Sequence, residues 1–169
     1  MIIVETERLL LRTFSLDDAD FVLRLVNDPS WIEFIGNHMV ENLEDACNYI
    51  LNGPLAMYDE YGFSLCMTEL KTDGTPIGVC GLVKRDSLPE VDLGFALLPE
   101  FCGRGYGSEA AAAILAFGRS QLRIQRVLAI TMPENQRSIQ LLERLGFAYV
   151  SMFRLSDDEP ELKLFALDT

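Results

Sequence analysis

Between Pro99 and Glu109 the chain reads Pro-Glu-Phe-Cys-Gly-Arg-Gly-Tyr-Gly-Ser-Glu. A predicted strand ends at Pro99, glycines follow at 103, 105 and 107, and a predicted helix opens at Gly105. Glycine allows close backbone approach to a ligand and positive φ. The unpaired N–H groups of a helix start, with the positive end of its dipole, form an anion site. The expected guest is a phosphate or pyrophosphate, held by Gly103, Arg104, Gly105, Tyr106, Gly107 and Ser108. A Walker loop is excluded because no lysine follows the glycines. A dinucleotide fingerprint from Gly103 needs glycine at position 108, which is Ser108, and no parallel β-α-β unit surrounds the segment. A glycine-rich turn without a ligand is the alternative for this motif taken alone.

The second group is Asn135-Gln-Arg-Ser138, followed by Leu141, Leu142, Leu145 and Gly146-Phe147. Asn135 and Ser138 lie one helical turn apart and share a face. Both could point back towards the glycine loop, although capping the helix is the commonest use of such an asparagine. The lone His38 reads as a solvated loop residue that could line a pocket. Trp31 and Phe34 read as core. Asp28 and Glu33 could bind a cationic substrate, and a charged, solvated loop is their more ordinary account.

These residues need elements to hold them. Thr6 to Phe14 reads as a first strand. Ser15 to Asp18 is a capping box opening a helix to about Asn27, which Asp28-Pro29 ends. Trp31 to Val40 is irregular or a short helix. Asn42 to Asp45 caps another helix, disturbed near Gly53-Pro54. Phe63 to Leu70 and Pro76 to Lys84 form a hairpin around Thr72-Asp-Gly-Thr75, and Glu90 to Leu98 is the next strand. Gly105 to Leu122 is helical, Val127 to Met132 a strand, and Asn135 to Leu145 a helix stopped by Gly146. Phe147 to Leu155 and Glu161 to Leu167 close the chain as a hairpin. Helices interrupting a largely antiparallel sheet give an α+β fold, expected as one domain over residues 1–169.

Composition narrows the function. Lys plus Arg number 14 against 26 Asp plus Glu, a formal charge of −12, which disfavours general nucleic-acid binding. Such a surface attracts a cationic amine or basic peptide, or simply confers solubility. No basic leader with a long apolar run opens the chain, and no apolar stretch approaches the roughly 20 residues that span a bilayer, so a cytoplasmic protein is expected. Cys47, Cys66, Cys80 and Cys102 make no C-x-x-C pair, and His38 is the only histidine. No metal site is expected, and buried free thiols are.

Taken together, Pro99-x-x-Cys102-Gly-Arg-Gly105-Tyr-Gly107 resembles the pyrophosphate loop of the GNAT acetyltransferase superfamily. Asn135-x-x-Ser138 ahead of Gly146-Phe147 is similar to that family's second signature. Thr6-Glu-Arg-Leu-Leu-Leu-Arg12 and Asp92-Leu-Gly94-Phe95 resemble the branch of ribosomal-protein N-terminal acetyltransferases. The resemblance spans nearly the whole chain. It implies a mostly antiparallel sheet of six to seven strands with about four helices, and a splayed central strand pair forming an acyl-CoA cleft. It implies acetyl transfer from acetyl-CoA to a primary amine, either a protein N-terminus or a small cationic amine, in a ternary complex. Phe95, Ala96 and Leu97 would pair with the pantetheine arm, with the Leu97 N–H on the thioester carbonyl. Gly103 to Ser108 would hold the pyrophosphate, and Asn135 and Ser138 the pantetheine and the region of the sulfur.

Attack requires a neutral amine and hence a base. Asp92 is the first candidate and Glu90, two residues earlier on the same strand face, the second; a structural carboxylate is the competing account of Asp92. Relatives often place a proton-donating tyrosine where this chain has Leu142, and some place the base where it has Ile130. The leaving thiolate is therefore expected to be protonated by water or held by Ser138. Cys102 stands where the wider family has Gln or Arg and this branch often an aromatic residue. Dimers are common in such folds, and no residue here argues for or against a homodimer. The competing functions are an acyl-CoA-binding module with little turnover and a nucleotide-phosphate domain of another sort.

Overall fold

The computed structural model describes residues 1–169. The apolar start Ile2-Ile3-Val4 pairs back on Leu9-Leu10-Leu11. The strand expected over Thr6 to Phe14 is the shorter β2 (Leu9–Arg12), and the residues before it add an unexpected strand, β1 (Ile2–Glu5), as its hairpin partner. Thr6 closes its turn, donating its N–H to the Leu9 carbonyl at 2.9 Å and accepting the Leu9 N–H on Oγ1 at 2.9 Å. The later strands are β3 (Leu65–Leu70), β4 (Pro76–Val83), β5 (Asp92–Leu97), β6 (Arg126–Thr131), β7 (Ala148–Phe153) and β8 (Leu162–Asp168). All join one eight-stranded sheet in the order β1-β2-β3-β4-β5-β6-β8-β7, so the opening hairpin takes it past the expected six to seven strands. Every pairing is antiparallel except β5 with β6.

The capping signals act as the sequence suggests. A short turn of helix, Leu16–Asp18, begins with Ser15 and Asp18 in a capping box and leads into α1 (Ala19–Val26). Burial alone would raise the Asp18 carboxyl, but hydrogen bonds from Arg12 and from the Ser15 N–H outweigh it and hold the carboxyl below its usual range. Asp28 accepts the Ser30 N–H and starts α2 (Pro29–Phe34), so it is an N-cap rather than a cation ligand. Asn42 caps α3 (Leu43–Ile50). Pro54 cannot donate, so the rod passes Gly53-Pro54 through a wide turn in which Ala56 N–H reaches the Leu51 carbonyl, and continues as α4 (Ala56–Tyr61). Helices α5 (Tyr106–Gln121) and α6 (Gln136–Arg144) follow. With α3 and α4 taken as one bent rod there are five helical bodies, one more than expected.

The sheet is covered on both faces. One face packs Leu9, Leu11, Leu82, Leu93 and Phe165 against Ile114 of α5 and Leu142 of α6. The other packs Phe14, Met67, Val79 and Leu98 against Val22, Trp31 and Ile50 of α1 to α3. Each such side chain buried contributes about 1.5–3 kcal/mol. Cys66 and Cys80 are buried cross-strand neighbours and free thiols, and burial pushes Cys66 up to about 12. Cys47 and Cys102 are half-buried, so the expectation of buried thiols holds for the first pair only.

Candidate active site

Strands β5 and β6 are in register at one point, Asp92 beside Leu128, where the Leu128 N–H reaches the Val91 carbonyl at 2.9 Å. Beyond it β5 follows β4 to Leu97 and β6 follows β8 to Thr131, so the parallel pair opens into a wedge. Antiparallel ladders alternate the direction of their backbone groups. The Leu98 N–H donates to the Ile77 carbonyl of β4 at 2.9 Å. By that alternation Ala96 also turns its N–H and C=O to β4, while Leu93, Phe95 and Leu97 turn theirs into the wedge. Of the three expected backbone contacts, Phe95 and Leu97 are thus free. Ala96 is paired to Val79 and offers the wedge no backbone group.

At the open end of the wedge the chain turns through Pro99–Phe101 into the glycine segment. Gly103 has φ +75° and Gly105 φ +83°, values that L side chains rarely adopt. The Cys102 N–H bonds the Pro99 carbonyl and the Glu109 N–H bonds the Gly105 carbonyl. Between them the six N–H groups from Gly103 to Ser108 donate to no acceptor in the protein. They stand at the positive end of a 16-residue helix, a fit for a doubly charged pyrophosphate. Gly107 lets α5 start close to its neighbours: a Cβ there would lie 2.9 Å from Leu141 Cδ1 of α6 and 3.7 Å from Leu97 Cδ1 of β5. The glycine loop, the end of β5 and α6 therefore meet at one spot.

A set of side chains that the sequence reading left without a role holds this loop. Glu109 accepts the Thr6 hydroxyl at 2.6 Å, the Arg8 N–H at 2.9 Å and Arg8 Nε at 2.7 Å. Arg8 Nη1 donates to the Arg104 carbonyl at 3.0 Å, and the guanidinium lies 4.5 Å over the Tyr106 ring. Burial acts to raise the Glu109 carboxyl, but these donors hold it below its usual range. The sequence signal was the Thr6-Glu-Arg8 opening, whose partner more than a hundred positions away no local spacing could reveal.

On the other lip, Asn135 Oδ1 accepts the Ser138 N–H at 3.2 Å, so the asparagine does cap α6. Its Nδ2 and the Ser138 hydroxyl have no partner in the protein and are available as donors. Leu142 is in the core, 1% exposed, so no side-chain acid stands at that position.

Asp92 is 1% exposed at the apex of the wedge. Its neighbour Leu93 packs under α5, so alternation turns Asp92 to the face covered by α1 to α3. Arg85 Nε donates to its two oxygens at 3.1 and 3.3 Å. Burial pushes the Asp92 carboxyl above its usual value, and the Arg85 charge opposes that without cancelling it. Glu90 lies outside β5, which starts at Asp92, so the shared strand face expected for the two carboxylates does not exist. His38 is more involved than expected: its ring sits between Trp31 and Tyr49, with centroids 5.6 Å from each. Trp31 is buried in the core as expected, and Glu33 is an exposed residue of α2.

Comparison with known proteins agrees with this arrangement. Residues 8–148 match the acetyltransferase (GNAT) domain model. The uncharacterized N-acetyltransferase p20 of Bacillus licheniformis is 30% identical over 152 residues, covering 88% of this chain and 84% of that protein. A crystal structure of an acetyltransferase from Agrobacterium tumefaciens superposes with a TM-score of 0.84 at 25% identity, over 98% of this chain and 94% of that one. The ribosomal L7/L12 α-N-protein acetyltransferase RimL, solved with coenzyme A, shares the fold with a TM-score of 0.82 at 18% identity, over 99% and 98%. The chain belongs to the GNAT acetyltransferase family and is an acyl-transferring enzyme.

Proposed function

We propose that the enzyme moves an acetyl group from acetyl-CoA to a primary amine, a protein N-terminus or a small amine, by direct attack within a ternary complex. The observation that carries this reading is the junction of an opened parallel strand pair with six unbonded N–H groups at its mouth. Gly103 to Ser108 hold the pyrophosphate. The pantetheine lies along the wedge-facing backbone of Phe95 and Leu97, with Asn135 Nδ2 and the Ser138 hydroxyl as donors on the opposite lip. Acetyl-CoA supplies the activated carbonyl carbon.

The chain's own residues then do three things. The Leu97 N–H donates to the thioester oxygen as negative charge builds on it. Asp92, whose burial gives it more affinity for a proton than a free carboxylate, accepts the proton of the incoming ammonium through a water. Ser138 donates towards the departing sulfur, since Leu142 and Ile130 offer no titratable group. The test is thiol release from acetyl-CoA over a panel of amines and peptide N-termini. Amine-dependent release with an acetylated product supports the proposal. Tight coenzyme binding with no amine-dependent release refutes it and leaves a holding domain.

A further inference from the structure

The α1 to α3 side of the wedge apex carries a cation with four of its five N–H donors unspent. Arg85 leaves β4 just past Val83 and reaches back to Asp92 with Nε alone. Its Nη1 and Nη2 groups donate to nothing in the protein, and its side chain is 38% exposed although Asp92 beneath it is 1% exposed. Asp86 and Glu90, the acids of the same loop, make no ion pair, and Lys84 spends its ammonium on the Leu88 carbonyl at 3.2 Å. The fork is therefore anchored at its base by a buried carboxylate and open at its tip.

On the acetyl-transfer reading the amine gives its proton to Asp92, and the fork lies on that same side of the sheet. Asp92 points to the α1 to α3 face of the sheet, and the Arg85 charge is felt on that face by two rings. Partial burial lowers the His38 imidazole and Arg85 lowers it further; burial raises the Tyr49 phenol and Arg85 opposes it. His38 and Tyr49 also edge an open depression of about 290 Å³ that Asn48 and Asn52 of the α3 rod help to line. Met39, Val40 and Asp45 complete its lining; the one carboxylate there already accepts the Glu41 N–H at 2.9 Å, and Arg85 lies outside the depression, beside His38 and Tyr49.

We propose that Arg85 makes this enzyme selective for amines that carry a carboxylate, whose two oxygens the free Nη groups receive while Nε holds Asp92. The inference rests on the acetyl-transfer reading for the position of the amine. The planar fork matches a carboxylate bidentately, and a lone ammonium would be repelled. The arrangement also serves the chemistry. A carboxylate on the Nη edge offsets the positive charge that otherwise weakens Asp92's hold on a proton, so Asp92 becomes a stronger proton acceptor when the proper acceptor is bound. The net charge of −12 pulls in the opposite direction, towards cations. That charge is spread over a screened surface, whereas Arg85 is at the reacting end, so the local group decides selectivity. A free amino acid and a peptide N-terminus followed by an acidic side chain present the same chemistry.

The test measures binding as well as turnover. Acetyl transfer is assayed with ω-amino acids from glycine to 6-aminohexanoate, their carboxamides, diamines, and dipeptide amides with aspartate or asparagine second. Binding of the corresponding N-acetylated acids and amides to the coenzyme A complex is measured by calorimetry. A charge-assisted pair at a half-exposed site predicts that the best acid exceeds its carboxamide by about 10- to 100-fold. In Arg85→Gln, which can still donate to Asp92, that ratio is expected to fall to near one with the affinity for coenzyme A unchanged. The length dependence and the aspartate arm tell a small amino acid from a peptide. Equal binding of acids and amides, a preference for diamines, or an unchanged ratio in Arg85→Gln overturns the inference. Absence of transfer with the binding ratio intact counts against the acetyl-transfer reading and not against Arg85.

Discussion

Gly105→Val is expected to raise the dissociation constant of coenzyme A about 100-fold. Gly105 has φ +83°, and a Cβ there would lie 3.2 Å from Arg8 Nη2. A β-branched residue in this region costs roughly 1–2 kcal/mol, so the segment relaxes to another conformation. Relaxation turns the amides away from a common point. Losing two charge-assisted hydrogen bonds at about 1.5 kcal/mol each accounts for about a 100-fold change. Gly62→Val is the control. Gly62 has φ +76° with open space around it and ends α4, so the same backbone strain is introduced outside the glycine loop. Calorimetry should show the binding loss in the first variant and none in the second, with similar small shifts in melting temperature. Equal affinity in both would mean that the loop amides do not bind the coenzyme.

The second large effect is expected at Asp92. Asp92→Asn should lower kcat by about 10²- to 10⁴-fold, the usual worth of a general base, with coenzyme A affinity within about twofold. The stability of the variant separates catalysis from architecture. Burial raises the folded-state carboxyl above its unfolded value. A group shifted in that direction stabilises the fold fully below its unfolded pKa, and the contribution is lost as pH rises through the folded value. Once ionised, Asp92 is therefore a cost, and its neutral isostere, still able to accept from Arg85, should be as stable as the wild type or more so above the folded value. The wild-type rate should fall as the pH drops through the raised Asp92 value, and the variant should lack that limb. A merely structural Asp92 would give the reverse: a destabilised variant that keeps its turnover per folded molecule.

Where the sequence spoke locally, it was legible. Glycines at alternate positions before an alanine-rich helix indicated the amide cradle, and Ser15, Asn42 and Asn135 indicated three helix starts that the structure contains. Asn135 proved to be both the plain cap and a free amide donor, because its two polar atoms do different work. Long-range relations stayed hidden. The first strand is expected to begin at Thr6, because nothing local shows that Ile2 to Val4 pair with Leu9 to Leu11. Glu109 reads as a first-turn acid until Thr6 and Arg8 converge on it. Glu90 shared a face with Asp92 only if the strand began early, and it begins at Asp92. Arg85 carried no motif at all, since its meaning lies in which of its nitrogens are spent.

The most direct measurement is a titration of the ¹⁵N-labelled protein with coenzyme A, followed by backbone amide chemical shifts. The amides of Gly103 to Ser108 should show the largest saturable changes, followed by Phe95 and Leu97, with Ala96 moving little because its N–H already serves β4. Saturable binding whose shifts fall elsewhere, or no binding at all, would contradict the account of the wedge and its amide mouth.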